Sequence, residues 1–99
     1  MFQSTRTVTV IAIALPAALQ AAAETTAYLN KNHSLNMKFG VEQYGSCRIH
    51  WQCEFDSLDK FDQLNQKLLK DREYLDMVKR TEGLWVHGSL KDTLVKFPD

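Results

Sequence analysis

Between residues 37 and 55 the chain reads as two strand-like runs, Met37–Gln43 and Arg48–Phe55, around Tyr44-Gly45-Ser46. A three-residue turn with Gly45 in the left-handed region sets Val41 opposite Ile49, Phe39 opposite Trp51 and Met37 opposite Cys53, all on one face. The other face then carries Glu42 opposite Arg48, Gly40 opposite His50 and Lys38 opposite Gln52. A two-residue turn would set apolar residues against polar ones throughout and expose half of each set. The hairpin therefore has one face that needs covering and one that carries polar chemistry.

The elements on either side supply the cover. Thr5, Thr7 and Thr9 alternate with Arg6, Val8 and Val10, and the run stays apolar to Ala14, which predicts a strand over about Thr5–Ala14. Pro16 stands where a helix opens, at the position where its missing N–H costs nothing. Leu15, Leu19, Ala22, Thr26 and Leu29 then follow at helical spacing to about Asn30, before a polar loop to Asn36. Asp56 or Ser57 caps a second helix, whose apolar stripe runs through Leu58, Phe61, Leu64, Leu68, Leu75 and Val78 to Arg80. Lys70-Asp71-Arg72 interrupts that stripe, and Asp71 can cap a separate last piece. Leu84–Gly88 reads as the fourth strand, with Leu90–Phe97 as an arm that extends it.

Strand, helix, strand, strand, helix, strand is the ferredoxin-like α+β order, here in one domain over residues 1–99. It predicts a four-stranded antiparallel sheet with the first and third strands central and the helices on one face. The expected first strand is apolar on both sides, Ile11 and Ile13 on one and Val10, Ala12 and Ala14 on the other. Two apolar faces imply two covers, and with the helices used on one side a second copy is the simplest supply for the other. The expectation is a homodimer through the open sheet face.

Composition removes whole classes of function. Twelve basic and twelve acidic residues leave no surplus to displace counterions from phosphate, so no nucleic-acid partner is expected. Residues 1–23 allow a secretory-signal reading, with Arg6 before an apolar run and Ala21-Ala22-Ala23 as a cleavage site. Cleavage would delete the most strand-like segment, so the expected location is the cytoplasm, secreted or periplasmic being the alternative. The apolar stretch is shorter than the ~20 residues that span a bilayer, and no membrane partner is expected. Cys47 and Cys53 lie six residues apart in one strand-like run, roughly 20 Å at ~3.3 Å per residue, beyond disulfide reach. They are expected as free thiols.

Arg48-Ile49-His50-Trp51, Asp71–Tyr74 and Gly88–Thr93, with the element order and the broken second helix, resemble the dimeric α+β barrel superfamily. That superfamily includes antibiotic biosynthesis monooxygenase-like and NIPSNAP-like proteins. The resemblance spans essentially the whole chain. It implies a small cofactor-free enzyme of secondary metabolism, a monooxygenase, cyclase or isomerase, acting on a hydrophobic, aromatic or polyketide-like molecule between sheet and helices. A non-catalytic dimeric binding or accessory protein is the alternative within the same fold. No cofactor is expected, and three histidines on three elements give no metal centre.

Few residues carry proton chemistry. His50 shares its expected face with Glu42, Arg48, Gln52 and Glu54, which suits either a general base beside carboxylates or a polar interface network. His87 alternates with Trp85 in the expected last strand, as an aromatic pocket pair or an interface anchor. His50 and His87 are thus the catalytic candidates. Phe39, Glu42, Tyr44, Trp51, Tyr74 and Trp85 are the substrate-binding candidates, the aromatic ones shaping a pocket and the tyrosines able to bond a carbonyl or phenol.

Overall fold

The computed structural model describes residues 1–98. Period-two alternation, with Thr5, Thr7 and Thr9 on one face and Phe2 and Val8 on the other, suits Phe2–Thr9 to a strand, β1, which lies at the centre of the sheet. Chain reversal through the helix α1 (Leu15–Asn32) leads to β2 (Lys38–Val41) and β3 (Arg48–Phe55). Then come α2 (Leu58–Lys70), α3 (Arg72–Arg80) and β4 (Lys91–Lys96). The sheet order is β2-β3-β1-β4, antiparallel at every pair, so β1 and β3 are central as expected. The fold is ferredoxin-like α+β.

The hairpin register is the one the polarity argument requires: Val41 pairs with Ile49, Phe39 with Trp51, Gly40 with His50 and Lys38 with Gln52. Gly45 has φ 103°, in the region where a side chain is strained. β2 is shorter than expected, because Met37 lends its N–H and C=O to the Asn30 side chain of α1 instead of to a strand. The expected break in the second helix is also present. Ser57 caps α2 by accepting from the Lys60 N–H, and Asp71 caps α3 by accepting from the Tyr74 N–H.

Two expectations are corrected. The first strand spans Phe2–Thr9, not Thr5–Ala14: Val10 makes one bridge to Trp85, and Ala12–Ala14 wind into a 3₁₀ turn. The Ile11 N–H bonds the Leu84 carbonyl and the Val86 N–H bonds the Thr9 carbonyl, which draws the chain off the sheet before Ala12. Ile13 consequently stands 92% exposed, and the apolar run is not a two-faced strand. The fourth strand is Lys91–Lys96, in what was expected to be the trailing arm, and not Leu84–Gly88. Glu82–Leu84 form a 3₁₀ turn, and Gly88, at φ 79°, turns the chain back through Val86–Ser89.

The core is built on the helix-facing side of β1 and β3. Val8, Val10 and Ile49 meet Ala18 and Ala22 of α1, whose small side chains let the helix lie close to the sheet. A second cluster joins Cys53 and Phe55 to Leu64 of α2, with the Phe61 ring edge-on to Phe55 at 5.2 Å. Because Ile49 is fully buried, Ile49→Ala should lower unfolding stability by about 2–5 kcal/mol in a urea titration. Ile13→Ser should change it by less than about 0.5 kcal/mol. A large loss at Ile13 would restore the longer strand.

Candidate functional site

Register decides which side chains meet above the sheet. On the helix-facing side, Trp51 of β3, Arg6 of β1 and Asp92 of β4 stand in one row across three strands, with Cys53, Ser4 and Leu94 in the next. The helices do not close on these rows. A cavity of about 360 Å³ lies between them and the sheet, within the range of small-molecule sites. Its roof is Ala21, Thr25 and Leu29 of α1, Leu64 and Leu68 of α2, and Tyr74 and Val78 of α3. Trp85 and Thr81 close one end, and Phe55 and Phe61 another.

Both tryptophans of the chain line this space, edge to face with ring centroids 6.1 Å apart. Trp85 Nε1 donates to the Thr81 hydroxyl at 3.3 Å. Trp51 Nε1 is buried without a hydrogen-bond partner among the described residues, a donor whose desolvation none of them offsets. Arg6 Nε donates to Asp92 Oδ1 at 2.7 Å and its Nη2 to Oδ2 at 2.9 Å, a bidentate fork. Those bonds, with the Tyr74 oxygen adding to them, raise the guanidinium pKa against the opposing effect of burial. The two side chains remain 44% and 52% exposed, opening on the cavity with Tyr74 of α3 reaching Arg6 from the roof.

The candidates divide sharply by face. Trp51, Tyr74 and Trp85 line the cavity; Phe39, Glu42 and Tyr44 do not. Phe39 lies on the edge strand beside Trp51, and Tyr44 is 95% exposed at the hairpin tip. Neither histidine candidate reaches the cavity. His50 lies on the open face, where its Nε2 donates to Glu42 Oε1 at 2.9 Å and Arg48 Nη1 donates to the same oxygen at 3.2 Å. The His50 bond, with the Arg48 charge, holds the Glu42 carboxyl below its ordinary pKa. His87 sits in the exposed turn before β4, not in a strand with Trp85, so the expected alternation of the two is corrected.

Arg6 and Asp92 line the cavity without being among the candidate site residues of the sequence. Their signal was the β1 alternation itself: Phe2, Ser4, Arg6, Val8 and Val10 share one face, and a charge stands where the pattern asks for an apolar residue. Among the described residues, no group of three or more His, Cys, Asp or Glu side chains converges as a metal site would. No described helix is long and apolar enough to cross a membrane. Cys47 and Cys53 are free thiols, and burial pushes the Cys53 pKa up, away from the thiolate.

The third histidine is a structural tie. Asp71, at the break between α2 and α3, accepts from Tyr28 Oη at 2.7 and 2.8 Å, from His33 Nε2 at 2.7 Å and from the Tyr74 N–H at 3.1 Å. His33 first, then Tyr28, holds the Asp71 carboxyl below its ordinary range, and the carboxylate pushes the Tyr28 phenol up to about 12. This tie fixes the end of α1 against the start of α3, which roofs the cavity.

No protein-family model matches the sequence, and no curated protein matches it. Solved structures do. A NIPSNAP family protein from Agrobacterium tumefaciens superposes with a TM-score of 0.83 at 16% identity, over 99% of this chain and 93% of that one. A second A. tumefaciens NIPSNAP family protein, of unknown function, gives 0.79 at 21% identity, over 96% and 86%. A mutant of SnoaB, a cofactor-independent oxygenase from Streptomyces nogalater, gives 0.74 at 13% identity, over 99% and 93%. At these identities the likeness shows the fold: the ferredoxin-like fold of NIPSNAP-like and antibiotic biosynthesis monooxygenase-like proteins.

The tie around Asp71 makes stability depend on pH from both sides. A lowered carboxyl pKa contributes stability above the unfolded value of about 4, lost as pH falls through the folded value. A raised phenol pKa contributes stability below about 10, lost as pH climbs toward about 12. In urea titrations across pH, Asp71→Asn should flatten the acid limb and Tyr28→Phe the alkaline limb. Limbs identical to wild type in both variants would refute the tie.

Proposed function

We propose that the chain is a small-molecule enzyme of secondary metabolism that takes a hydrophobic, aromatic or polyketide-like ligand into the cavity between sheet and helices. The reaction is of the monooxygenase, cyclase or isomerase type and uses no added cofactor. The observation that carries this reading is the cavity itself: about 360 Å³, with two tryptophans and apolar helix residues around the body of a ligand and the Arg6–Asp92 pair at its floor. A dry, filled interior would have pointed to a purely structural module. The likeness to a cofactor-independent oxygenase supports the reaction class at the level of fold only.

The proposed residues follow from the geometry. Trp51 and Trp85 flank the ligand, Tyr74 bonds its oxygen, and proton movement falls to the cavity groups Asp92 and Tyr74, because His50 and His87 lie elsewhere. That separation also favours a second reading, a dimeric ligand-binding or accessory protein without catalysis.

The proposed assembly is a homodimer through the open sheet face, in the reducing cytoplasm where Cys47 and Cys53 stay thiols. The support differs from the two-sided strand first expected, since Ala12 is off the sheet. It is the uncharged strip Gln3, Thr5, Thr7 and Thr9 along β1, flanked by Glu54, Gln52, His50 and Arg48 of β3 on one side and by Val95, Thr93 and Lys91 of β4 on the other. Two copies crossing on that strip bury β-branched threonines and place charges at the rim.

Aromatic phenols and ketones incubated in aerobic buffer without flavin, nicotinamide, haem or metal test the enzyme by mass spectrometry. Product should form with wild type and not with Thr25→Trp, which fills the cavity. Binding that quenches tryptophan fluorescence, without turnover of any compound, would favour the binding protein; no binding at all would overturn both. Sedimentation at micromolar concentration should give a dimer for wild type and a monomer for Thr7→Glu. A monomeric wild type would end the assembly proposal.

A further inference from the structure

We propose that the Arg6–Asp92 pair is the specificity element of the cavity, selecting a neutral ligand group that offers a donor and an acceptor side by side, such as a primary amide or a hydroxyl next to a carbonyl. The inference rests on reading the cavity as a small-molecule site and goes beyond it by naming what the polar floor recognises.

The pair stands where local pattern predicts otherwise. The helix-facing side of a central strand is ordinarily apolar, and here Arg6 lies between Ser4 and Val8, beside Trp51 in the same row. A charge in such a position, opened to a cavity and met from the helix layer by Tyr74, breaks a rule of the fold where function is the usual reason. A structural cross-strand pair would serve equally well on the open face.

Its hydrogen-bonding capacity is only partly used. A guanidinium carries five N–H donors; Asp92 takes two of them and the Tyr74 oxygen engages the guanidinium as well, which still leaves N–H donors unused. A carboxylate has about four acceptor sites, and Arg6 takes two of those. The pair therefore presents unused donors directly beside unused acceptors, with no net charge. Among the described residues that line the cavity no other side chain is charged. A carboxylate ligand meets Arg6 only with Asp92 at its flank, and an ammonium ligand meets the reverse. A neutral donor–acceptor group meets both partners, in a partly enclosed space where such bonds are stronger than in water.

Calorimetric titration with three probes of one shape tests this: 2-naphthamide, 2-naphthoate and 2-methylnaphthalene. The amide should bind wild type at least about tenfold more tightly than either other probe, the scale of hydrogen bonds to charged groups. The double variant Arg6→Met with Asp92→Leu removes both charges together, so neither is left buried alone. There the amide should lose its advantage while 2-methylnaphthalene binds as well as before or better. An amide no tighter than 2-methylnaphthalene, or an advantage that survives the double variant, would show that the pair only staples β1 to β4. Naphthoate as the tightest ligand would show an anion site. In each of those outcomes this proposal fails while the small-molecule site stands; if none of the three binds, both fail. The wild-type ranking decides the matter even if the double variant does not fold.

Discussion

Everything above the sheet depends on how closely α1 can approach β1 and β3. Ala18 and Ala22 are 0% and 1% exposed against Val8 and Ile49, and no larger side chain would allow that contact. The other end of the layer is held by Phe55, Phe61 and Leu64. Between the two anchors α3 should complete the roof, but Asp71 stops the helix at φ −87° and ψ 96° and restarts it in a new direction. α3 then packs on α1 and α2 and has no buried residue of its own. The row Trp51–Arg6–Asp92 is roofed by Tyr74 and Val78 of α3 without being packed shut, and the cavity accompanies a helix break that one carboxylate caps and ties.

Features governed by neighbours in the chain were legible. The hairpin register followed from alternation and one glycine, and the α2–α3 break from an aspartate followed by helix formers. Strand ends were not legible, because an apolar run through Ile11-Ala12-Ile13-Ala14 has the same pattern whether it pairs or turns. The outcome was decided by hydrogen bonds to Leu84 and Val86, seventy residues or more away. The same distant contacts moved β4 downstream of Gly88. The site was half legible: aromatic residues announce a pocket, whereas Arg6 and Asp92 meet only after β4 is correctly placed.

Histidine is the residue type most often suited to proton transfer at neutral pH, yet two of the three here are bonded to carboxylates away from the cavity. His33 shares Asp71 with Tyr28 and an N-cap, a role of position. His50 shares Glu42 with Arg48 on the polar sheet face, a network in which the lowered carboxyl pKa comes from those two partners. A histidine already bonded to a carboxylate can orient or pair, but it needs a substrate within reach to move a proton, and His50 does not line the cavity between sheet and helices.

The sheet thus separates two kinds of polar chemistry by a single residue step. Arg6 faces the cavity and Thr7, next in the chain and paired with His50, faces away. A partner laid on the open face would cover Thr7 and leave Arg6 accessible from the helix side, so the proposed assembly and the proposed ligand entry would not compete for surface. They remain mechanically joined, because β1 carries both and is fixed along its length by β3 on one side and β4 on the other. A shift of β1 that broke the Arg6–Asp92 fork would also move the threonine strip, and a rigid dimer would resist that shift. The polar floor of the cavity is held in its geometry by pairing on both of its edges, which is what a site that reads two adjacent hydrogen bonds requires.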